Sequence, residues 1–331
     1  MTHIINNWAD ISKYFTGPLL LGNGASMAVS TKFSYVSLLQ QAHNSGYIVE
    51  DIQKLFTFFN TSDFELILRI VWQANNVNKS LDIADERTRE AYLKVRECLI
   101  KSVRAVHPEH SEIAEHLPKI YNFLKQFDSV ISLNYDLIIY WAITHGLSVQ
   151  DGHKFKDCFI SGVFDQNWRR LKEPIGSEKK VSLVFYPHGN LIFCRTKLEE
   201  ERKLHSNSTG LLQSVLSAWE SEIYVPLFVS EGTKEQKIRS IQYSNYLSIV
   251  YREVLPAPKY NLTIYGWAIG DHDIHVLKKL YDPLLNKIAV SVYGNDQAYC
   301  NRIHTLVKQE LRHDIEVFFY DSRSPGCWNN D

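Results

Sequence analysis

The chain has 331 residues, 45% of them hydrophobic, and 36 Lys and Arg against 37 Asp and Glu for a net charge of −1. That apolar content supports a large buried core and excludes a disordered chain, and the balanced charge leaves no basic footprint for direct nucleic-acid binding, since the pairs Arg169-Arg170 and Lys179-Lys180 are too short for a stripe. No apolar run reaches the ~18 residues of a membrane span, and the start Met1 to Trp8 lacks the regions of a signal peptide, so a cytoplasmic protein with no membrane partner is expected.

In chain order, the apolar run Pro18 to Leu21 reads as a strand feeding a glycine turn, Gly22-Asn23-Gly24-Ala25-Ser26. Absent side chains at Gly22 and Gly24 let backbone N–H groups approach a pyrophosphate, and Ser26 offers a hydroxyl to phosphate or ribose. An ordinary strand-to-helix turn has the same appearance, because the third glycine of the dinucleotide fingerprint is missing. A loop through Met27 to Phe33 is expected next, then a helix that Ser34 caps and Gly46 ends. Residues 48–127 carry no useful strand-like run. Apolar residues there recur at helical spacing, as in Leu55, Phe58 and Phe59, then Ile67, Ile70 and Val71, and the stretch reads as a helical insertion. Ser62-Asp63-Phe64-Glu65 fits a capping box, and Pro118 divides the last helical stretch.

Strand-like runs resume at Val130 to Leu133 and continue at Val181 to Tyr186, Tyr224 to Val229, Leu262 to Tyr265, Ile288 to Tyr293 and Ile315 to Tyr320. Helical patterns alternate with most of them, which predicts an α/β fold with a doubly wound, mostly parallel sheet. Residues 151–180 and 196–209 read as loops.

Chemistry-bearing residues gather at the ends of these runs, where open α/β sheets bind ligands. Asn134, in Ser132-Leu133-Asn134-Tyr135-Asp136, either caps the helix Leu137 to His145 or orients a ribose or a water. Asp136 suits the first turn of that helix or contacts the same region. His188, in Tyr186-Pro187-His188-Gly189-Asn190, carries an imidazole that serves as acid or base near its ordinary pKa of ~6.5. Its plain alternative is a turn histidine in a hairpin between Val181–Tyr186 and Leu191–Arg195. Gly266, Trp267 and Asp271 follow the run Leu262 to Tyr265, and Asn295 follows Ile288 to Tyr293. His272 and His275, with Asp273 between them, read as a solvated helix start, and Thr233 in Glu231-Gly232-Thr233 suits a helix cap. The five cysteines, Cys98, Cys158, Cys194, Cys300 and Cys327, have no C-x-x-C pair, so neither a disulfide framework nor a zinc cage is expected.

The order G-x-G-x-S, N-Y-D, H-G, then Tyr265-Gly266-Trp267-Ala268-Ile269-Gly270-Asp271, resembles the sirtuin-like superfamily over most of the chain. More closely, it is similar to bacterial sirtuin-like proteins that lack a zinc module, several of which hydrolyse NAD in defence against bacteriophage. Two positions depart: Asn23 stands where sirtuins usually carry Ala, and Ala268 where Ser is common. The resemblance implies one Rossmann-like, sirtuin-type domain across 1–331 with 48–127 inserted in it. It assigns catalysis to Asn134 and His188, with His188 as general base. NAD, as substrate, falls to Gly22, Asn23, Gly24, Ala25, Ser26, Asp136, Gly266, Trp267, Asp271 and Asn295, the last two loops lying around the adenosine half. The expected function is NAD glycohydrolysis, cytoplasmic and in antiphage defence, with no metal. The alternatives are an NAD or ADP-ribose sensing module without turnover, and a deacylase or ADP-ribosyltransferase, of which the deacylase is disfavoured by the scattered cysteines. Uncontrolled NAD hydrolysis is toxic to its own cell, so a homo-oligomer or a regulatory partner is expected. Leu55-Phe56-Thr57-Phe58-Phe59 and Trp72 are candidates for that contact or, equally, for core.

Overall fold

The computed structural model describes residues 2–34, 37–205, 210–229, 232–257 and 260–331. Its strands are β1 (Ile5–Asn6), β2 (Pro18–Leu21), β3 (Ser129–Ser132), β4 (His153–Lys156), β5 (Phe159–Ile160), β6 (Val163–Phe164), β7 (Lys180–Phe185), β8 (Gly189–Arg195), β9 (Glu201–Lys203), β10 (Val225–Phe228), β11 (Asn261–Tyr265), β12 (Lys287–Val292) and β13 (Glu316–Asp321). Eight of them form one sheet in the order β1-β13-β12-β11-β2-β3-β7-β4, every pair parallel. The inner strands β2 and β3 are buried at every position, as near-continuous apolar runs covered by helices on both faces should be. This is the expected α/β, Rossmann-like doubly wound architecture. From β2 the chain moves outward through β3 and β7 on one side and later through β11, β12 and β13 on the other, so the strand order reverses between β2 and β11.

Several expectations need correction. The run at β10 does not join the main sheet but pairs antiparallel with β8 in a separate three-stranded sheet, with a register shift between Pro226 and Leu227. Proline has no N–H for a ladder, which keeps such a run out of a sheet interior. Because β7 lies in the large sheet and β8 in the small one, the hairpin alternative for His188 does not form. The two edge strands of the large sheet depart from the expected set, β1 being only two residues long and β4, His-Lys-Phe-Lys, lying inside the supposed loop 151–180; β5 and β6 also fall in that loop, and β9 in the supposed loop 196–209. Residues Asn23–Val29 form a helix directly after β2 instead of a turn and loop. Ser37, not Ser34, caps the helix Leu38–Asn44, and Gly46 follows it at φ +70°.

Between β2 and β3 every described element is helical, the longest being Phe64–Ser80 and Glu86–Val106. Asp63, not Ser62, caps Phe64–Ser80 by accepting from the Glu65 and Leu66 amides. Pro118 sits in the first turn of Leu117–Leu124, where its missing N–H breaks no helical bond. Trp72 is fully buried with its Nε1 donating to the Glu222 carbonyl at 3.2 Å, so it belongs to the core and not to a contact surface. Phe58 is 83% exposed and meets Phe59 edge-on.

One core contact has a pH signature. His107 is buried, its Nδ1 donates to the Pro108 carbonyl and its Nε2 accepts from the Leu137 amide at 3.1 Å. Burial lowers its pKa to about 4. The folded protein therefore binds fewer protons than the unfolded chain below ~6.5, and this contribution is present above that pH and lost as pH falls toward the folded value. Glu65, raised to about 8 by burial, acts in the opposite sense. The His107 part is read as a difference: the stability gap between wild type and His107→Gln should narrow as pH falls from ~6.5 to about 4. A gap in melting temperature that stays constant across this window contradicts the assignment.

Candidate functional site

A cavity of about 490 Å³ opens at the carboxyl ends of β2, β3 and β11, at the reversal of strand order. That is where open α/β sheets bind small molecules, and the volume suits one. Eight of the residues singled out from sequence line it together: Gly22, Asn23, Gly24, Asn134, Asp136, His188, Gly266 and Trp267. Four do not. Ala25 is buried, with its carbonyl held by Trp328 Nε1 at 2.9 Å, and Ser26 is buried beneath the cavity wall. Asp271 is exposed at the start of a single helical turn, and Asn295, at φ +59°, is exposed beyond β12, where it accepts from Gln297.

The glycines have a different purpose from the one expected. Gly22 N–H donates to the Tyr265 carbonyl at 3.0 Å, Gly24 N–H to the Gly266 carbonyl at 2.7 Å, and Ala25 N–H back to Gly22 at 2.9 Å. These donors are committed inside the protein and do not form a pyrophosphate cradle. A Cβ on Gly22 would lie 2.6 Å from the Trp267 backbone and one on Gly24 would lie 2.7 Å from the Gly266 carbonyl. Glycine is needed here so that the loops after β2 and β11 can interlock.

Asn134 does not cap the following helix, which begins at Ile138; Asp136 Oδ1 accepts from the Ile138 amide instead. Asn134 Nδ2 donates to the Gly22 carbonyl at 3.0 Å and to Ser26 Oγ at 2.9 Å. Ser26 Oγ in turn donates to Asp136 Oδ2. The directed chain Asn134–Ser26–Asp136 fixes which end of the carboxamide is which and leaves Oδ1 as the acceptor for a ligand hydroxyl or water. Ser26 is therefore an orienting residue. Burial raises the Asp136 pKa, offset by the Ser26 and Ile138 donors. Asn190 ties the same loop down, its Nδ2 donating to the Asp136 carbonyl at 2.6 Å.

His188 is buried between β7 and β8, with its ring hydrogen-bonded to the Leu133 backbone and its Nε2 without a protein partner. Burial holds its pKa well below the ordinary value, Lys237 adds to this and Asp273 opposes it. An imidazole that gives its one proton to a carbonyl presents a lone pair on the other nitrogen, which is the form a general base takes.

Sequence reasoning missed three parts of this site. Lys237, on the helix Lys234–Gln242, lines the cavity and pairs with Asp273 at 2.8 Å. His275 is buried and stacks on His188 with ring centroids 5.9 Å apart; in the stretch read as a solvated helix start, His272 is exposed as expected while His275 is packed against the catalytic candidate. Tyr135 stacks on Phe228 at 5.0 Å and gives the cavity an aromatic wall beside Trp267. The pattern Asp271-His272-Asp273 carried a signal; Lys237, one of several charged and polar residues on its helix, carried none. Of Glu231-Gly232-Thr233, Thr233 caps its helix as expected and Glu231 lies outside the described residues.

A second cavity of about 350 Å³ lies near β4. Its carboxylate, Asp157, is already engaged, accepting from both Tyr140 and Lys203. All five cysteines are buried and free, and among the described residues no group of three or more His, Cys, Asp or Glu is placed to hold a metal ion. No helix among them is long and apolar enough to cross a membrane.

The protein-family model described as "Domain of unknown function (DUF4917)" matches residues 19–328, and the chain belongs to that family. No curated protein matches the sequence.

Proposed function

We propose that this protein hydrolyses NAD at the bond between nicotinamide and ribose, releasing nicotinamide and ADP-ribose. The observation that carries the reading is the convergence of Asn134 and His188 on one cavity at the strand-order reversal. The sirtuin-like order of motifs supports it, as does a neutral buried imidazole with an unpartnered nitrogen.

Nicotinamide leaves as a neutral base from a cationic ring, so the transition state is oxocarbenium-like and the protein has to orient ribose, place water and exclude other nucleophiles. Asn134 Oδ1 orients a ribose hydroxyl or the water. His188 takes the proton. Trp267 and Tyr135 supply aromatic faces for the two ring systems of the dinucleotide. Because the Gly22 and Gly24 amides are already engaged, the glycine turn contributes shape here and not phosphate donors. A cytoplasmic role in antiphage defence, under control of an oligomer or partner protein that engages the exposed Phe58 and Phe59, is part of this proposal.

The test is incubation of the purified protein with NAD and chromatography for nicotinamide and ADP-ribose; intact NAD at high protein concentration, with binding demonstrated, favours a sensing module instead. Ser26→Ala probes the orienting chain. Losing the hydroxyl leaves Asn134 and Asp136 short of a partner, worth about 1–3 kcal/mol, so turnover should fall ~5- to 150-fold while the substrate range is unchanged. Full turnover in this variant removes Ser26 from the site.

A further inference from the structure

The helix Lys234–Gln242 and the helical turn Asp271–Asp273 meet beside His188 and bring one cation and one anion to the same wall of the cavity. Lys237 Nζ lies 2.8 Å from Asp273 Oδ1, and both side chains are largely withdrawn from solvent, at 9% and 26% exposure. We propose that the Lys237–Asp273 pair is a positioning device that sets the proton affinity of His188. The inference rests on the reading of His188 as the base, and concerns residues outside the motifs that carry the sirtuin resemblance.

In the hydrolysis, the water oxygen bonds to the ribose anomeric carbon, the carbon–nitrogen bond breaks with its electron pair going to the nicotinamide ring, and the water proton passes to His188 Nε2. The base must be unprotonated before the step and able to bear a charge after it. Lys237 serves the first requirement, since a cation close to a buried imidazole disfavours imidazolium, and the second falls to Asp273, whose carboxylate favours it. The 2.8 Å pairing holds the two charges to one another at the cavity that His188 also lines. The other ionisable groups facing His188 are His275, stacked on it and depressed by its own burial, His272 on the same turn, and Asp136 across the cavity. His275 gives its Nδ1 to the His272 carbonyl at 3.0 Å and has no protein partner at Nε2, so it adds no fixed charge that replaces the pair.

The experiment is an NMR titration of the histidine rings in the full chain, with His188 assigned by its loss in His188→Gln, carried out on wild type, Lys237→Met, Lys237→Arg and Asp273→Asn. In wild type and Lys237→Arg the His188 ring should stay neutral through the mildly acidic range. In Lys237→Met its midpoint should rise by about one pH unit or more, a tenfold change in proton affinity. In Asp273→Asn the ring should remain neutral to the lowest pH at which the protein stays folded. A His188 midpoint in Lys237→Met that matches wild type overturns the proposal, and so does a rise in Lys237→Arg equal to that in Lys237→Met. The acid limb of nicotinamide release from NAD should follow the ring in each variant. If the titrations shift as stated and no variant, wild type included, releases nicotinamide, the NAD reading fails and the assignment of the pair stands.

Discussion

His188→Gln should lower nicotinamide release from NAD by about 10²–10⁴-fold, the usual worth of a positioned general base. Gln keeps an amide that can still bond the Leu133 backbone, so the protein should remain folded, and its melting curve is the necessary companion measurement. Asn134→Ala should cause a loss of comparable direction for another reason: water and ribose lose their orienting acceptor while the base is intact. Its cost to stability should be small, ~1 kcal/mol, because the Gly22 carbonyl and Ser26 hydroxyl lose one donor each at a half-buried position. Wild-type turnover in either variant removes that residue from the chemistry.

Gly266→Ala should have the largest effect on stability. Gly266 sits at φ +66°, and a Cβ there would lie 2.3 Å from the Ala25 amide nitrogen and 2.7 Å from the Gly24 carbonyl carbon. Both obstacles are backbone, so no rotamer change relieves them, and left-handed strain adds to the clash; the loss should exceed ~2 kcal/mol. Gly270 lines the same cavity in the same loop, has no atom within 4 Å of the point where a Cβ would stand, and has an extended backbone at φ −77°. Gly270→Ala should therefore lie within ~0.5 kcal/mol of wild type. Urea melts of the pair decide the point: equal midpoints would mean that the two loops do not interlock as described.

The parallel sheet was legible because its inner strands carry apolar stretches such as Leu19-Leu20-Leu21 and Val130-Ile131, and burial on both faces demands them. Edge strands need less. β4 is half-buried at every position and alternates lysine with aromatic residues, so hydropathy does not separate it from a loop. The place of β10 was not legible, because an apolar run shows that a strand is buried without showing in which sheet; Pro226 is the residue that argues against a central position. Within the site, Asn134 and His188 were legible from their position just after strands. Ser26 was legible as polar but not as an internal donor, since the partner that captures its hydroxyl, Asp136, is 110 residues away. Lys237 reaches Asp273 across 36 residues of chain, a meeting that depends on how two helices pack.

The sheet's connectivity also bears on how the chain acquires its structure. Ile5 and Asn6 pair with Phe319 and Tyr320, and the Asn6 side chain donates to the Phe319 carbonyl across 313 residues. During synthesis the first strand to emerge is among the last to find its neighbour, and β2 has one open side until β11 is made. Non-local parallel pairing is slow to form and leaves unpaired apolar edges in the interval. A nascent chain halted before β11 exposes the fully buried Leu19, Leu20 and Leu21 along that edge, and such fragments should be bound by chaperones or aggregate, whereas release of the finished chain permits the centre of the sheet to close.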